Sequence, residues 1–283
     1  MEVIVLNTKK KNKIAGAIYG FAIGDAMGAT TEFMTAEKIK KVYGKVTDII
    51  GGGWLDLDAG EITDDTQMTM CVMNALMDTL GKGKNADEEV KDFAKSCKYE
   101  FIDWYMTGPK DVGGQCSRAI NYMRIGHDFA YQDNEALGNG SLMRAMPCAI
   151  LNKHALNVTQ GFLTHNNHEC TQVILEYTRI IQNYLNGNLY KGKIKFLYEP
   201  SGYIMNTFYN AVYWSCQNSF EDAIIGAVNH GGDADTIAAI AGSLAGAKFG
   251  YDNIPERWIN QLNPDVKEFL EKFKNFAFSY LQI

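Results

Sequence analysis

The chain is poor in features that mark several common protein classes. Proline and histidine each occur only five times in 283 residues. No apolar run approaches the ~18–20 residues that a bilayer-spanning helix needs. The best candidate, Ile14 to Gly24, gives way to Asp25 after eleven residues. Lys9 to Lys13 is basic, but no clear cleavage pattern follows, so a signal peptide is not read here. A soluble, cytoplasmic protein with no membrane partner is expected. The six cysteines form no C-x-x-C and read as reduced, mostly buried thiols. Excess positive charge is absent: the net charge is −6 and the pI about 5.4. That argues against general nucleic-acid binding. Walker and G-x-S-x-G motifs are missing, which removes support for nucleoside-triphosphatase and serine acyl-transfer readings. His165 and His168 are three apart, and no other histidine pair has metal-ligand spacing, so zinc is weakly supported.

What is present centres on Asn229-His230-Gly231-Gly232-Asp233-Ala234-Asp235-Thr236. Two carboxylates and a hydroxyl follow two glycines, which permit close backbone approach to a bound group. Hard oxygens in this density suit Mg²⁺, Mn²⁺ or Ca²⁺. Asp and Thr are also ordinary helix N-caps, but one cap needs one such residue. Thr63-Asp64-Asp65-Thr66 repeats the pattern before another helical stretch. The two clusters can supply opposite walls of one cation site. Neither has the spacing of an EF-hand loop.

The rest of the chain reads as helices. Gly16, Gly20, Gly24 and Gly28 recur every fourth residue, as do Ala234, Ala238, Gly242, Gly246 and Gly250. Residues four apart share a helix face, so each stripe is a groove. Packing the two grooves together would bring Asp25 and Glu32 towards Asp233. Apolar spacing predicts further helices over Thr66–Leu80, Ala86–Met106, Gln115–Gly126, Ser141–Leu151, Glu169–Leu185, Ser201–Gln217, Phe220–Val228 and Asp265–Leu281. Met1–Lys13 reads as a strand-like or poorly packed tail. Met34–Gly60 reads as a loop wrapping towards the site, and Gly187–Lys195 as a surface loop. Neither alternating strands nor a composition-biased linker appears, so residues 1–283 are expected to form one all-α domain.

Other polar candidates have two readings each. Gly138-Asn139-Gly140-Ser141 is an anion cradle or a Gly-rich cap. Asp111 is a general acid or base, or the cap of the next helix. Tyr203 is a stacking platform or, more simply, core.

Taken in order, Gly24-Asp25-Ala26-Met27-Gly28 with Glu32, Thr63-Asp64-Asp65-Thr66, Asn139-Gly140-Ser141-Leu142-Met143-Arg144, Thr164-His165, Ser201-Gly202-Tyr203 and Gly231-Gly232-Asp233-Ala234-Asp235-Thr236 resemble the ADP-ribosylglycohydrolase family. The ordered set covers roughly residues 14 to 250. Gly51-Gly52-Gly53-Trp54 and Pro109-Lys110-Asp111-Val112-Gly113 look nearest to its dinitrogenase reductase-activating branch, which removes ADP-ribose from arginine.

The resemblance implies an orthogonal helix bundle with a dinuclear Mg²⁺ or Mn²⁺ centre. Thr63, Asp64, Asp65, Asp233, Asp235 and Thr236 would be the ligands, with Glu32 bordering them. Asp111, Glu32 and Asp65 would serve catalysis. Gly113, Asn139, Gly140, Ser141, His165, Gly231 and Gly232 would contact the substrate, with Tyr203 near adenine. The expected partners are ADP-ribose and an ADP-ribosylated protein, met by a monomer. Runner-up readings are hydrolysis of serine-linked or O-acetyl ADP-ribose, and a binding, immunity or structural protein on the same scaffold.

Overall fold

The computed structural model describes residues 2–190, 192, 194 and 196–283, with side chains from residue 7 onward. Among these residues the elements are α1 (Glu2–Gly28), α2 (Ala36–Tyr43), α3 (Asp64–Thr79), α4 (Ala86–Met106), α5 (Gly114–Arg124), α6 (Met146–Ile150), α7 (His154–Phe162), α8 (His168–Leu185), α9 (Ile204–Ser215), α10 (Phe220–His230), α11 (Ala234–Phe249), α12 (Glu256–Gln261) and α13 (Pro264–Tyr280). Short 3₁₀ turns occupy Asn139–Ser141 and Tyr251–Asn253. No ladder of strands exists among the described residues, only isolated bridges.

The helix pair α1 and α11 forms the axis of the bundle. Every residue of α11 from Ala234 to Ala247 is buried, as an all-round apolar helix must be. The two small-residue stripes meet in antiparallel order. A Cβ added at Gly16 would lie 2.4 Å from the carbonyl oxygen of Gly246, and one at Gly20 would lie 2.3 Å from that of Gly242. At Gly24 it would lie 2.0 Å from the Ala238 oxygen, and at Gly28 2.5 Å from the Ala234 oxygen. The backbones touch directly, at a separation that no larger side chain allows. Close packing and Cα–H···O contacts offset the ~1 kcal/mol that each helical glycine costs. Helices α3, α6, α8, α9, α10, α12 and α13 pack on this axis, α13 burying Val266, Leu270, Phe273 and Ala277, while α4, α5 and α7 pack on the outer helices.

Three expectations change. Residues 2–13 are not a strand-like tail; they extend α1, because no breaker interrupts them before Gly16. Lys13 Nζ donates to the Tyr184 carbonyl at 2.5 Å, and Asn12 Oδ1 accepts from Asp252 N at 3.1 Å. The Met34–Gly60 loop contains α2, an eight-residue helix capped by Thr35 with Ile39 as its buried residue. One apolar turn is too little for periodicity to register. The Ser141–Leu151 helix is broken into the 3₁₀ turn and α6. Pro147 has no N–H to donate back along the chain, so a helix begins there and does not run through it. Within the expected Gly187–Lys195 loop, residues 191, 193 and 195 lie outside the described residues. Five of the six cysteines are buried and none is paired; Cys216 is exposed.

The axis predicts a specific weakness. Gly20→Ala places a methyl inside the Gly242 backbone, and overpacking of this kind costs about 1–3 kcal/mol or more. Thermal melts should show Tm falling by several degrees, at about 2–4 °C per kcal/mol in a chain of this size class. An unchanged Tm would mean that the helices do not touch here.

Candidate functional site

Helix ends converge on one cleft. The C-terminal part of α1 carries Asp25, and the segment after it carries Glu32. The N-terminus of α3 presents Asp64 and Asp65 behind the cap Thr63. The N-terminus of α11 presents Asp235 and Thr236 behind Asp233. The loop Asp111–Gly113 leads into α5, and Gly138–Gly140 leads into the 3₁₀ turn. Three α-helix N-termini thus point their partial positive charge towards carboxylates, which favours the ionised form.

The cleft has a volume of about 350 Å³. Its acidic lining is Glu32, Asp64, Asp111, Asp233 and Asp235; Gly138–Gly140 and His165 also face it. One oxygen from each of Asp25, Asp65 and Asp235 lies within 4.8 Å of the others. So does one from each of Glu32, Asp233 and Asp235. Asp235 belongs to both triads. Asp25 is fully buried, and its carboxylate accepts from Thr63 Oγ1 (2.8 Å), Thr63 N (3.1 Å) and Thr66 N (3.0 Å). Thr236 Oγ1 donates to Asp65 Oδ2 at 3.0 Å, while Asp65 Oδ1 is buried without any partner. Gly113 N donates to Asp64 Oδ2 at 3.3 Å, Asn139 Nδ2 to Asp233 Oδ2, and the Trp54 indole to Glu32 at 2.5 Å.

Lysine and arginine are absent from the lining of this cleft. Burial, reinforced by neighbouring carboxylates, pushes Glu32 up to about 8 and Asp64 up to about 7. Burial also raises Asp233 to about 6 and Asp111 above its ordinary value. Asp25, Asp65 and Asp235 are raised as well, with burial as the main cause. Crowded, buried carboxylates with an unpartnered oxygen need either protons or a cation. The donor set of carboxylates and threonine hydroxyls fits a hard divalent ion.

The sequence profile of the ADP-ribosylglycohydrolase family matches residues 6–200 and 192–280. The chain is 35% identical to the ADP-ribosyl-[dinitrogen reductase] glycohydrolase of Rhodospirillum rubrum, over 90% of this chain and 92% of that one. It is 33% identical to an ADP-ribosylarginine hydrolase of Pseudomonas putida, over 89% of this chain and 74% of that one. A solved structure titled an ADP-ribosylglycohydrolase-related protein complex superposes with a TM-score of 0.76 at 25% identity, covering 97% of this chain and 99% of that chain. The chain belongs to the ADP-ribosylglycohydrolase family. It is a hydrolytic enzyme of the glycosidase type. No helix among the described residues is long and apolar enough to cross a membrane.

In this ADP-ribosylglycohydrolase, the residues singled out from sequence fall into three groups. Glu32, Asp64, Asp111, Gly113, Asn139, Gly140, His165, Asp233, Asp235 and Thr236 line one cleft. Thr63 and Asp65 lie just behind it, bonded into the Asp25 network. Ser141, Tyr203, Gly231 and Gly232 stand apart from the lining. Ser141 is fully buried beneath the floor, where its hydroxyl has no partner. Tyr203 is half-exposed and donates to Glu169. Gly231 and Gly232 are backbone devices with φ of 78° and 66°. A Cβ on them would strike the carbonyls of Met34 and Pro200, at 2.2 and 1.8 Å. They fasten residues 33–35 to the start of α11: Phe33 N donates to the Gly232 carbonyl at 2.7 Å, and Gly232 N to that of Met34 at 2.8 Å.

Sequence reasoning left Asp25 out of the ligand set. The signal was present: an acid interrupting a glycine-striped, otherwise apolar helix. Phe33, Gln115, Cys116 and Met143 also line the cleft and carried no signal. Phe33 adopts φ of 58° and packs on Trp54 at 5.4 Å, forming an exposed aromatic lip beside Glu32.

The raised carboxyl groups set a pH dependence. A group whose folded pKa exceeds its unfolded value binds its proton more tightly when folded. Without a cation, stability is therefore highest below the unfolded values of 3.8 for Asp and 4.5 for Glu. It falls as pH rises through about 6, 7 and 8 for Asp233, Asp64 and Glu32. A divalent cation replaces those protons. Its addition to stripped protein should therefore raise Tm more at pH 8 than at pH 5. Equal gains at both pH values, read by differential scanning fluorimetry, would contradict a cation site built from these carboxylates.

Proposed function

We propose that the enzyme releases ADP-ribose from modified arginine side chains of proteins, with two Mg²⁺ or Mn²⁺ ions as cofactors. The observation that carries this reading is the position of Asp111, which lines the same cleft as the acidic cluster. The arginine acceptor is also supported by the names of the two relatives, one acting on dinitrogen reductase and one on ADP-ribosylarginine.

Thr63, Asp64, Asp65, Asp233, Asp235 and Thr236 are assigned to the ions, with Asp25 added and Glu32 at the border. Asp235 belongs to both oxygen triads, so it would be the residue shared by the two ions' ligand sets. When bound, the ions would fix the ribose hydroxyls, polarise the reacting centre and lower the pKa of a water. The protein groups do the rest. Gly138–Gly140 and His165 form the floor against which the diphosphate lies. Asp111 is half-buried, with its Oδ1 oriented by Val112 N at 2.7 Å. As a carboxylate it pairs with the guanidinium of the acceptor. Burial raises its proton affinity, so it can take a proton from the attacking water and pass it to the departing guanidine nitrogen. The bond from that nitrogen to the anomeric carbon breaks, and water supplies the hydroxyl that replaces it. Glu32, steadied by Trp54, borders the same space.

Two outcomes are expected. Purified protein supplied with Mg²⁺ or Mn²⁺ should release free ADP-ribose from ADP-ribosyl-arginine peptides, faster than from serine-linked peptides or O-acetyl-ADP-ribose. EDTA should abolish release and either cation restore it; a preference for serine would overturn the acceptor assignment. Asp235→Asn keeps the side-chain volume and removes one charge. It should lower kcat sharply at saturating metal, about 10²-fold or more, the scale of losing one electrostatic element of a transition-state site. A variant with near-normal kcat and unchanged metal affinity would sink this shared role.

A further inference from the structure

Arg144 is a fully buried cation with no carboxylate beside it among the described residues. Its guanidinium donates to the carbonyls of Gly140 (2.5 Å) and Gln160 (2.9 Å), to Thr164 Oγ1 (2.6 Å) and weakly to Cys116 Sγ (3.7 Å). The Phe101 ring lies 4.7 Å from it. Burial raises the Cys116 thiol, so that neighbour stays neutral and does not cancel the charge. A lone buried charge is costly unless it organises something. Here it organises the far side of the cleft: Gly140 and Thr164 both adjoin His165.

The hydrogen-bond directions follow from what each group can do. Guanidinium only donates, so Thr164 Oγ1 accepts from Arg144. That hydroxyl also lies 2.8 Å from His165 Nδ1. Its own proton can be given to Nδ1 at this distance, with the Cys116 thiol a weaker rival acceptor, and a proton on Nδ1 would point towards the Arg144 charge. Burial, and after it the Arg144 and Arg118 guanidinium groups, disfavour imidazolium and hold His165 far below its ordinary value, at about 3. The remaining ring proton therefore sits on Nε2. That edge of the ring lies against the Gly138–Gly140 turn: a methyl at Gly138 would come within 3.2 Å of Nε2, and one at Gly140 within 2.8 Å of Cε1. His165 and this turn share the cleft lining.

We infer that Arg144, acting through Thr164, locks His165 as a neutral imidazole that presents a fixed Nε2–H donor to a phosphate oxygen of the bound ligand. The ligand half of this inference rests on the reading that a diphosphate lies along Gly138–Gly140. Arg144 and Thr164 are positioning residues. A donor of constant charge holds the anion equally well across the pH range in which a free histidine would titrate.

The test uses the full-length protein labelled with ¹⁵N at histidine, and reads tautomers by long-range ¹H–¹⁵N correlation. The wild-type His165 should show the Nε2–H form from pH 5 to 8. ADP-ribose should shift its Nε2 resonance, and adenosine, which has no phosphate, should not. Thr164→Val should lose the fixed tautomer and weaken ADP-ribose binding about tenfold, the scale of one donor to a charged acceptor. Adenosine binding should stay within about twofold, and Thr164→Ser should restore tautomer and affinity. An Nδ1–H form or an imidazolium in the wild type would overturn the inference. So would equal responses to ADP-ribose and adenosine, or a Thr164→Val variant with unchanged affinity for ADP-ribose. None of these readings needs turnover, so failure of the arginine-peptide assay would count against the acceptor assignment alone.

Discussion

The contact on which the molecule depends is backbone against backbone, between the glycine stripes of α1 and α11. Those stripes set the distance between the two helices at the least that main chains allow. Asp25 lies beside Gly24 on one helix, and Asp235 follows Ala234 on the other. The interhelical distance is therefore also the distance between carboxylates. Their oxygens come within 4.8 Å of each other because the helices have no side chains between them. A packing device thus doubles as the gauge of the candidate metal centre.

That crowding is electrostatically expensive, and the fold spreads the cost in two ways. Helix N-termini supply partial positive charge without bringing lysine or arginine into the lining. Threonine hydroxyls and backbone N–H groups satisfy Asp25 and one oxygen of Asp65. What is left without a partner is Asp65 Oδ1. On the opposite wall the arrangement is reversed. One buried cation, Arg144, works behind neutral donors. The cleft therefore has an acidic side that calls for positive ions and a side of N–H groups that calls for an anion. Both suit the metal-held, phosphate-bearing ligand proposed above.

Much of this was legible in the sequence, because the two governing patterns are local and periodic. Glycine every fourth residue announced the axis, and paired acids before apolar runs announced the helix ends. The predicted meeting of the stripes, with Asp25 and Glu32 drawn towards Asp233, is what the structure has. The failures have physical causes too. Helix α2 has one buried residue and so no period to read. Pro147 split a helix that apolar spacing alone would continue. Ser141, Gly231 and Gly232 are a different matter: they lie outside the cleft lining, and the two glycines meet the main chain of Met34 and Pro200. A motif fixes which residues cluster, but not which face of the cluster is open. Arg144 gave no hint of its surroundings, because lone buried cations have no sequence signature.

The axis also has a consequence for the order in which the molecule can be assembled. Gly16 meets Gly246, so the first helix of the chain waits for a partner some 230 residues later. Until α11 arrives, α1 is a helix weakened by four glycines with nothing to bury its groove, and Asp25 has no Asp235 to face. Closing so long a loop carries an entropic cost that is recovered only when the stripes dock. The carboxylates of Asp25 and Asp235 are therefore brought together only when the stripes dock. A chain interrupted before residue 234 would keep Asp25, Asp64 and Asp65 but lose Asp235, the residue common to both oxygen triads.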